Sequence, residues 1–424
     1  MNFSQAKEFL DKFDKSKIKP GLERITALLH KLGDPQQRQK VIHVAGTNGK
    51  GSVCKYIESV LTKSGLKVGI FTSPYLTKIN QCFRIERDID DDEFASCTQK
   101  IANVLLQDEL LKSQVSRFEI VTALAFLYFK DRCDCVILET GLGGIFDSTN
   151  VIDNPLLTVI TKISYDHMDF LGDSIQSIAK NKAGIIKKNV NVIVAPQDYK
   201  QAIDTIKCVA TTKNSKCTLV GVDNKIAVHA DKTFDYCGIK SLFTPLNGRH
   251  QIDNAATAVQ SCIELSKVFD ISTSHILDGI SSTVWECRLE KVHQKPIVYI
   301  DGAHNEDGVE SMLQFLQTEH RDSKIIFIFG VLRDKSYSKF IDMIAEFAKV
   351  VFTVTPDSPR ALSCEILAQE IIKKNIKAVS CNTLQKAIQD AFLSTNEKDI
   401  IVVFGSLYMV GHAREEILNT VNVG

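Results

Sequence analysis

The sequence has no excess of charge of either sign and no apolar run long enough to cross a membrane. Lys plus Arg and Asp plus Glu both number 51, so the formal net charge is zero. Without a basic excess there is no overall field that would attract nucleic acid, and we expect no nucleic-acid partner. The longest apolar stretches, such as IVTALAFLYF, are too short to span a bilayer, so we also expect no membrane attachment.

A secretion signal and a regular cysteine pattern are also lacking. Residues 1–20, MNFSQAKEFLDKFDKSKIKP, are charged and have no apolar centre of the kind that a signal peptide needs. The twelve cysteines are scattered, and only Cys133 and Cys135 form a near pair, with no second pair or histidine cluster to complete a zinc site. Small buried thiols in a reducing compartment explain this usage, so we expect a cytoplasmic protein.

The length and the order of apolar segments predict two α/β domains. A chain of 424 residues is too long for one ordinary core. Apolar, β-branched runs alternate with helical patterns through the first two thirds, and a second alternation follows WECRLEKVHQKP, which we interpret as the crossing between domains. CTLVGVDNKIAVHA is expected to form a small antiparallel piece, and RHQIDNAATAVQSCIELSKVF a long amphipathic helix. The runs expected to be buried parallel strands are KVIHVAG, KVGIFTSP, CVILETG, PLLTVITKIS and VNVIVAP, then IVYIDGAHN, IIFIFGV, VVFTVTP, IKAVSC and DIIVVFGSLYMVG.

The stretch HVAGTNGKGSV, residues 43–53, predicts a phosphate-binding loop. It is a shortened relative of the pattern G-x-x-x-x-G-K-[ST], with Gly51 inserted between Lys50 and the hydroxyl residue. Glycines let backbone N–H groups approach phosphate oxygens, and the following helix presents its positive end. Lys50 can then reach the β- and γ-phosphates, and Ser52 can bind Mg²⁺. A glycine turn with a surface lysine is the alternative, which the strand before the loop and the helix after it disfavour.

Polar residues at other strand ends offer further ligands for a magnesium nucleotide. Glu139 ends an apolar strand just before glycines, and His167 follows another such strand in ITKISYDHMDFLGD. A helix cap or a loop hydrogen bond is the alternative for the acid, and magnesium's preference for oxygen makes an ordinary polar contact the alternative for the histidine. Asp301 and His304 follow a strand in YIDGAHN, where an acid suits ribose hydroxyls, although an Asp-Gly turn is the alternative.

Motifs along nearly the whole chain together resemble those of folylpolyglutamate synthases and bifunctional dihydrofolate synthases, relatives of the cell-wall Mur ligases. No single motif carries this resemblance, but thirteen in the right order are specific. They are GLERI at 21, HVAGTNGKGSV at 43, FTSPYL at 71, FEIVTALAF at 118, LETGLGGIFDSTN at 138, ITKISYDHMDFLGD at 160, IAKNKAGIIK at 178, LNGRHQIDNAATA at 246, WECRLE at 285, DGAHN at 301, GVLRDKSY at 330, TPDSPRAL at 355 and GSLYMVGHAR at 405.

The resemblance implies an α/β fold with two domains. Residues 1–290 would form an amino-terminal, P-loop-type domain with a mostly parallel sheet flanked by helices, which would also hold the pterin pocket. Residues 291–424 would form a smaller carboxyl-terminal, Rossmann-like glutamate-ligase domain. The nucleotide would be shared by the two domains, so that closing the cleft between them assembles the site.

The resemblance also implies roles for individual residues. Lys182 of IAKNKAGIIK would be carbamylated by CO₂ and would act as a second layer around the metal ligands. The residues implied in catalysis are Lys50, Lys182 and His304. The ATP contacts are Gly49, Lys50, Gly51, Ser52, Val53, Asn254, Arg288 and Asp301. The Mg²⁺ ligands are Ser52, Glu139 and His167. The dihydropteroate contacts are Gly21, Leu22, Glu23, Arg24, Phe118, Phe146, Asp147 and Ser148.

The pterin pocket is the part of this assignment with a strong structural alternative. Phe118 and Phe146 could stack on a flat heterocycle, but both could equally be core residues, since Phe is mostly buried. Two positions depart from the family pattern. Ile145 stands where many relatives have Arg, and Glu306 stands where many have Pro. Neither departure touches the phosphate chemistry.

The resemblance implies a monomeric, cytoplasmic ligase that uses ATP and Mg²⁺ to add L-glutamate to dihydropteroate and to reduced folates. A carboxylate is a poor acyl donor, so the γ-phosphoryl group would first make an acyl phosphate, which the glutamate amine then attacks. Three alternatives remain. They are a monofunctional folylpolyglutamate synthase, a cell-wall Mur-type amino-acid ligase, and an ATP-binding module that is not an enzyme. The Mur-type ligase is disfavoured because GTNGKGS and DHMDFLGD follow the folate branch.

Overall fold

The structure is a computed structural model that describes residues 1–13 and 20–421. The chain divides into two compact units. The first comprises Met1–Thr244 and Ile252–Thr283, and the second comprises Pro245–Gln251 and Val284–Gly424. The short segment Pro245–Gln251 is held in the second unit by contacts such as the 2.8 Å hydrogen bond from the Asn247 side chain to the Leu289 carbonyl. Such long-range contacts leave no local pattern in the sequence.

The first unit is built on a mostly parallel sheet with an antiparallel edge. Within the described residues its eight strands run in the order β4-β3-β2-β5-β1-β6-β7-β8, and all pairings are parallel except those of β3. The strands are β1 Val41–Ala45, β2 Val68–Phe71, β3 Phe83–Ile85, β4 Arg87–Asp88, β5 Cys135–Glu139, β6 Leu157–Ile160, β7 Val192–Val194 and β8 Cys217–Leu219. The five parallel strands predicted for this region are confirmed.

A small antiparallel sheet follows, as predicted, but it begins later than expected. Of the stretch CTLVGVDNKIAVHA, the first part forms β8 and extends the large parallel sheet, because Cys217–Leu219 pair with β7. Only its end enters the second sheet, which has the order β11-β10-β9. These strands are β9 Ala227–Val228, β10 Phe234–Tyr236 and β11 Ile239–Leu242. A run of three residues is too short for its pattern to reveal which sheet it joins.

Helices cover the large sheet of the first unit. The helix α6 is apolar on every side and is buried in the main core, and a capping box formed by Ser116 and Glu119 defines its start. The predicted long helix at 249 is confirmed as α10. The helices are α1 Phe3–Asp11, α2 Glu23–Lys31, α3 Lys50–Lys63, α4 Asp91–Leu106, α5 Glu109–Gln114, α6 Arg117–Phe129, α7 Met168–Leu171, α8 Ile175–Lys182, α9 Lys200–Thr212, α10 Arg249–Leu265 and α11 Thr273–Ser281.

The second unit has its own sheet and core. Among the described residues its strands run in the order β12-β13-β17-β14-β15-β16, parallel except for the hairpin of β12 with β13. The strands are β12 Glu290–Gln294, β13 Ile297–Ile300, β14 Ile325–Phe329, β15 Ala348–Thr353, β16 Ala378–Ser380 and β17 Ile400–Phe404. The helices are α12 Glu306–Glu319, α13 Tyr337–Ile344, α14 Cys364–Ile372, α15 Leu384–Leu393 and α16 Leu407–Val421.

The stretch WECRLEKVHQKP, interpreted as a crossing, contains the edge strand β12. The residues of β12 are at most partly buried. This strand therefore lacks the apolar character by which the other strands of this sheet were predicted. The five strands predicted in this region, β13 to β17, are confirmed, and they surround a core that includes the stacked rings of Phe329 and Phe404. None of the described helices has the length and apolarity that a membrane span requires.

Candidate active site

The candidate site of the first unit lies where three neighbouring parallel strands end. In the sheet β5, β1 and β6 are adjacent and point the same way. Glu139 is the last residue of β5, the phosphate loop follows β1, and residues 161–167 follow β6. Ligands of open α/β sheets bind at such carboxyl ends, and the topology places Glu139, the phosphate loop and the segment 161–167 at the same edge of the sheet.

The phosphate loop is held against the segment that follows β6. The backbone N–H of Thr47 donates to the Lys162 carbonyl at 2.8 Å, and its hydroxyl donates to the Ser164 carbonyl at 3.1 Å. Gly49 has a φ of +85° and precedes the first turn of α3, a conformation that favours glycine. A Cβ at this position would overlap the Asn254 side chain, so Asn254 of α10 lies against the loop.

Lys50 opens α3 and turns its amine back over the loop. Its Nζ donates to the Thr47 carbonyl at 3.1 Å and lies 4.0 Å from Glu139 Oε1. Both side chains are mostly buried, 17% and 7% exposed, so the pair is shielded from water. Gly51, Ser52 and Val53 follow in the buried first turn of the helix, and the positive end of a helix favours a bound anion.

The predicted magnesium ligands are a hydroxyl, a carboxylate and an imidazole. Ser52 and Glu139 are buried, and Glu139 Oε2 accepts a 3.3 Å hydrogen bond from the Ser73 N–H. His167 has a φ of +51° and precedes α7. No group of three or more His, Cys, Asp or Glu that could hold a metal occurs among the described residues. Magnesium commonly takes one or two carboxylates together with water and phosphate oxygens, so the Ser52 hydroxyl and the Glu139 carboxylate fit it, whereas the His167 imidazole is not an oxygen donor. The ligand roles of all three residues stay predictions.

Lys182 lies at the end of α8, buried beside the phosphate loop. Its side chain is 4% exposed and its Nζ donates to the Gly46 carbonyl at 2.7 Å. Burial, together with the nearby Lys50 cation, lowers the pKa of Lys182 to about 7 against the opposing effect of Asp166 and Asp147. The sequence placed the helix between Asp173 and Gly184. In the structure Ser174 caps it, and a 3-10 turn, Ala183–Ile185, follows its last residue.

The predicted pterin residues lie on three segments of the first unit, which are residues 21–24, the start of α6 and the loop 146–148. Phe118 of α6 is partly buried against Phe71 and packs over Gly141, where no Cβ would fit. Phe146 is 53% exposed, which argues against a core role for it. Asp147 is buried and accepts hydrogen bonds from the Leu142 N–H at 2.8 Å and from the Thr149 N–H at 3.0 Å. Ser148 begins the 3-10 turn Ser148–Val151 and is buried.

The GLER segment leads into α2 and is tied to α6. Arg24 Nε lies 3.1 Å from Glu119 Oε1, and this carboxylate is 2% exposed. Gly21 has a φ of +117°, and Leu22 caps α2 without a side-chain hydrogen bond. Glu23 is exposed in the first helical turn. The GLER segment and α6, two of the three segments implied in pterin binding, are therefore joined through one partly buried ion pair.

The second unit contains three of the predicted residues, Arg288, Asp301 and His304. Asp301 follows β13. Asp301 accepts hydrogen bonds from the Leu289 N–H at 2.8 Å and the Ala303 N–H at 2.6 Å. Burial raises the pKa of Asp301 to about 6, against the opposing effect of the Arg288 guanidinium and these N–H groups. His304 Nδ1 lies 2.9 Å from the Gly302 carbonyl. The cluster supplies both a cation and an acid for a polar ligand.

The two departures from the family pattern have different surroundings. The Ile145 N–H donates to the Asn181 carbonyl at 3.0 Å, so Ile145 belongs to the loop that packs on the end of α8. Glu306 opens α12 and forms an exposed ion pair with Lys339 at 2.8 Å. Surface ion pairs of this kind contribute little to stability.

Two buried polar residues near the site, His43 and Thr149, were missed by the sequence reasoning. His43 lies in the middle of β1, fully buried, and its Nε2 is 2.8 Å from the Thr149 hydroxyl. The signal was present, because a histidine in an otherwise apolar strand is costly to bury without a partner. Its partner lies 106 positions away, which only the fold reveals.

Comparisons with known proteins agree with this geometry. Residues 44–262 match the Mur ligase middle domain, and residues 287–407 match the Mur ligase, glutamate ligase domain. The dihydrofolate synthase/folylpolyglutamate synthase of Bacillus subtilis (strain 168) is 36% identical over 94% of this chain and 95% of its own length. The folylpolyglutamate synthase of Lacticaseibacillus casei is 33% identical over 99% of both chains.

Solved structures give the same result. Mycobacterium tuberculosis folylpolyglutamate synthase complexed with ADP and AMPPCP matches with a TM-score of 0.89 and 27% identity over 98% of both chains. E. coli FolC in complex with DHPP and ADP matches with a TM-score of 0.89 and 28% identity over 100% of this chain and 98% of that chain. The resemblance and the α/β fold predicted from the motifs are confirmed. The chain therefore belongs to the Mur ligases, in the dihydrofolate synthase/folylpolyglutamate synthase family of ATP-dependent ligases.

Proposed function

We propose that this protein uses ATP to add L-glutamate to dihydropteroate and to reduced folates. The observation that carries the proposal is the arrangement around the phosphate loop. There a shielded Lys50–Glu139 pair, the first turn of α3 and the buried Lys182 meet at the ends of adjacent parallel strands. This arrangement is suited to holding a triphosphate and neutralising its charge during phosphoryl transfer.

The proposed reaction has two steps. A carboxylate oxygen of the pterin acid attacks the γ-phosphorus, the bond to the β–γ bridging oxygen breaks, and ADP and an acyl phosphate form. The glutamate amine then attacks the acyl carbon, phosphate leaves, and the amine loses a proton. The protein's part is to orient the reactants and to stabilise developing charge.

In the first step Lys50 is proposed to contact the β- and γ-phosphates, and the N–H groups of the first turn of α3 to hold the same oxygens. Mg²⁺ would be held by Ser52, Glu139 and His167 and would neutralise charge on the phosphates. Lys182, as a carbamate, would replace a buried cation by an anion and orient a neighbouring metal ligand.

The other predicted residues bind substrates in this proposal. In the second unit, Arg288 and Asp301 are proposed nucleotide contacts, with His304 beside them. In the first unit, exposed Phe146 and partly buried Phe118 are proposed to contact the flat pterin ring. The loop 141–149 would carry that contact next to Glu139.

A monofunctional folylpolyglutamate synthase is the second candidate. The name of the Lacticaseibacillus casei relative favours it, since that name carries the single activity. The name of the Bacillus subtilis relative carries both activities, and the E. coli FolC structure, which is a complex with DHPP and ADP, supports the bifunctional proposal.

The test is a comparison of acceptors. Purified protein is incubated with ATP, Mg²⁺ and glutamate, together with dihydropteroate, with a reduced folate, or with neither, and ADP and products are measured by mass spectrometry. We expect each acid to gain one glutamate and ADP formation to require both the acid and glutamate. Elongation of folate without use of dihydropteroate would support the monofunctional alternative. ADP formation that ignores both acceptors would contradict the ligase proposal.

A further inference from the structure

A chain of three buried polar side chains links the middle of β1 to the loop that follows Glu139. Asp147 Oδ1 accepts a 2.6 Å hydrogen bond from the Thr149 hydroxyl. The same hydroxyl oxygen lies 2.8 Å from His43 Nε2. Because the only hydroxyl proton of Thr149 goes to Asp147, the contact with His43 requires an N–H on Nε2. His43 therefore donates, Thr149 relays, and Asp147 accepts.

The charge state of His43 agrees with this order. Burial and, to a smaller extent, the Lys187 cation together lower the pKa of His43 to about 3, so the imidazole is neutral and carries one N–H. Its other nitrogen, Nδ1, is buried and has no hydrogen-bond partner in the described part of the chain. An apolar side chain would fill this place in β1 without that cost, which makes the single hydrogen bond to Thr149 the evident reason for a histidine here.

These hydrogen bonds close the backbone segment 142–149 into a turn and attach it to β1. Asp147 also accepts from the Leu142 N–H at 2.8 Å and from the Thr149 N–H at 3.0 Å, so its two oxygens hold both ends of the segment 142–149. His43 is the contact that joins this closed turn to β1. Three residues beyond His43 the same strand enters the phosphate loop at Gly46.

We propose that His43 and Thr149 are positioning residues that fix the loop 141–149 relative to the phosphate loop and so set where the acid substrate presents its carboxylate. Neither touches the reacting atoms; they act through Phe146, Asp147 and Ser148, which the loop carries. This inference rests on the proposed function for the identity of the substrate. The anchoring itself can be measured without any substrate.

The first test measures anchoring by hydrogen–deuterium exchange of the substrate-free protein. In His43→Met we expect peptides covering 142–149 to exchange at least about tenfold faster, because the hydrogen bond that joins Thr149 to β1 is lost while the Thr149 hydroxyl keeps its bond to Asp147. Peptides of β14 should not change. His320→Met is the matched control, since His320 Nε2 makes a comparable 3.0 Å contact with the Tyr299 hydroxyl in the second unit. Unchanged exchange of 142–149 in His43→Met would overturn the inference.

The second test is kinetic. His43→Met should raise KM for dihydropteroate about tenfold while KM for ATP stays within about twofold, and His43→Gln, whose amide can donate in a similar direction, should recover part of the loss. Thr149→Val should resemble His43→Met, Thr149→Ser should resemble the parent, and the double variant should be no worse than the worse single variant. If His43→Met does not fold, Thr149→Val takes its place in both tests.

The outcomes separate this inference from the proposed function. Additive effects, an equal rise in KM for both substrates, or no recovery by Gln would overturn positioning. A parent protein that ligates neither acid would refute the proposed function and, with it, the substrate part of the inference. In that case the exchange experiment alone decides whether His43 and Thr149 anchor the loop.

Discussion

Lys50 is the residue on which the phosphate-loop prediction depends most directly. Its amine is 3.1 Å from the Thr47 carbonyl and 4.0 Å from Glu139, so it is already oriented over the loop. We expect Lys50→Ala to lower kcat at least about a hundredfold, because an oriented cation that stabilises developing charge is removed. Thermal unfolding should stay close to that of the parent. Lys63→Ala, which changes an exposed lysine at the other end of α3, is the control, and near-normal turnover of Lys50→Ala would refute the phosphate role.

The proposed magnesium ligands lead to a second prediction. Glu139→Ala and His167→Ala should each raise the Mg²⁺ concentration needed for half-maximal activity, since each removes one donor from a site with few protein ligands. Titration of activity with Mg²⁺ at saturating ATP measures this. Asp169→Ala, an exposed acid in α7, should leave the titration unchanged. If both ligand variants keep the parental Mg²⁺ dependence, the assignment is wrong.

Lys182 should form a carbamate, and its extent should increase with pH. The amine reacts with CO₂ only when neutral, and with a pKa of about 7 the neutral fraction grows as the pH rises from about 6 to 8. We expect a carbamate signal under ¹³CO₂ by carbon NMR that strengthens over this range and is absent from Lys182→Met. Lys180→Ala, an exposed lysine of the same helix, should keep the signal. A parent spectrum without carbamate at the upper end of this range would exclude the modification.

The lowered pKa of Lys182 also affects the stability of the protein in CO₂-free buffer, where no carbamate can form. The pKa of Lys182 is about 7 in the folded chain against 10.5 for an ordinary lysine, so the unfolded chain binds more protons between these values. The contribution of Lys182 to the free energy of unfolding therefore rises with pH from about 7 to 10.5, and the full cost of burying its cation is present below about pH 7.

At the scale of elements, α3 and α11 are packed so closely that glycine is required between them. A Cβ on Gly279 would lie 2.5 Å from the Val60 Cα, and the Ser59 hydroxyl donates to the Gly279 carbonyl at 2.7 Å. Gly279→Ala would gain roughly 1 kcal/mol of helix propensity, but the two helices would have to separate. Overpacking of this kind costs about 1–3 kcal/mol and would move the helix that begins with Lys50.

We therefore expect Gly279→Ala to lower the free energy of unfolding by about 1–2 kcal/mol in a urea titration and to raise KM for ATP. Ser281→Ala, exposed on the same helix, controls for the general effect of alanine in α11. Equal or greater stability of Gly279→Ala would show that the packing between α3 and α11 relaxes without cost.

The elements also show where pattern reasoning works. The ten strands expected to be parallel were predicted because buried parallel strands are apolar along their whole length, as in IIFIF of β14. The strands β3, β4 and β12 were not predicted, because β3 and β4 have only three and two residues, and β12 is an edge strand whose residues are at most partly buried. The phosphate loop was found because its glycines, lysine and following helix are contiguous in sequence.

At the scale of the whole molecule, every residue assigned to the proposed site comes from one chain, so we expect activity that does not require a second copy. We expect a monomer of 47.2 kDa by light scattering, with a specific activity independent of protein concentration. Activity that falls on dilution together with a larger mass would indicate that an oligomer is the active form. The light-scattering measurement is repeated without ATP, as a control for association that nucleotide binding causes.

The sequence by itself determined the family, the run of parallel strands, the phosphate loop and the residue types of the site, because these depend on contiguous patterns of apolarity, glycine and charge. The tertiary structure alone decided which distant residues share that site. It places Lys182 against Gly46, 136 positions away, and Thr149 against His43, 106 positions away. It also decided the lowered pKa of Lys182, because burial is a property of the folded surroundings and no local sequence encodes it.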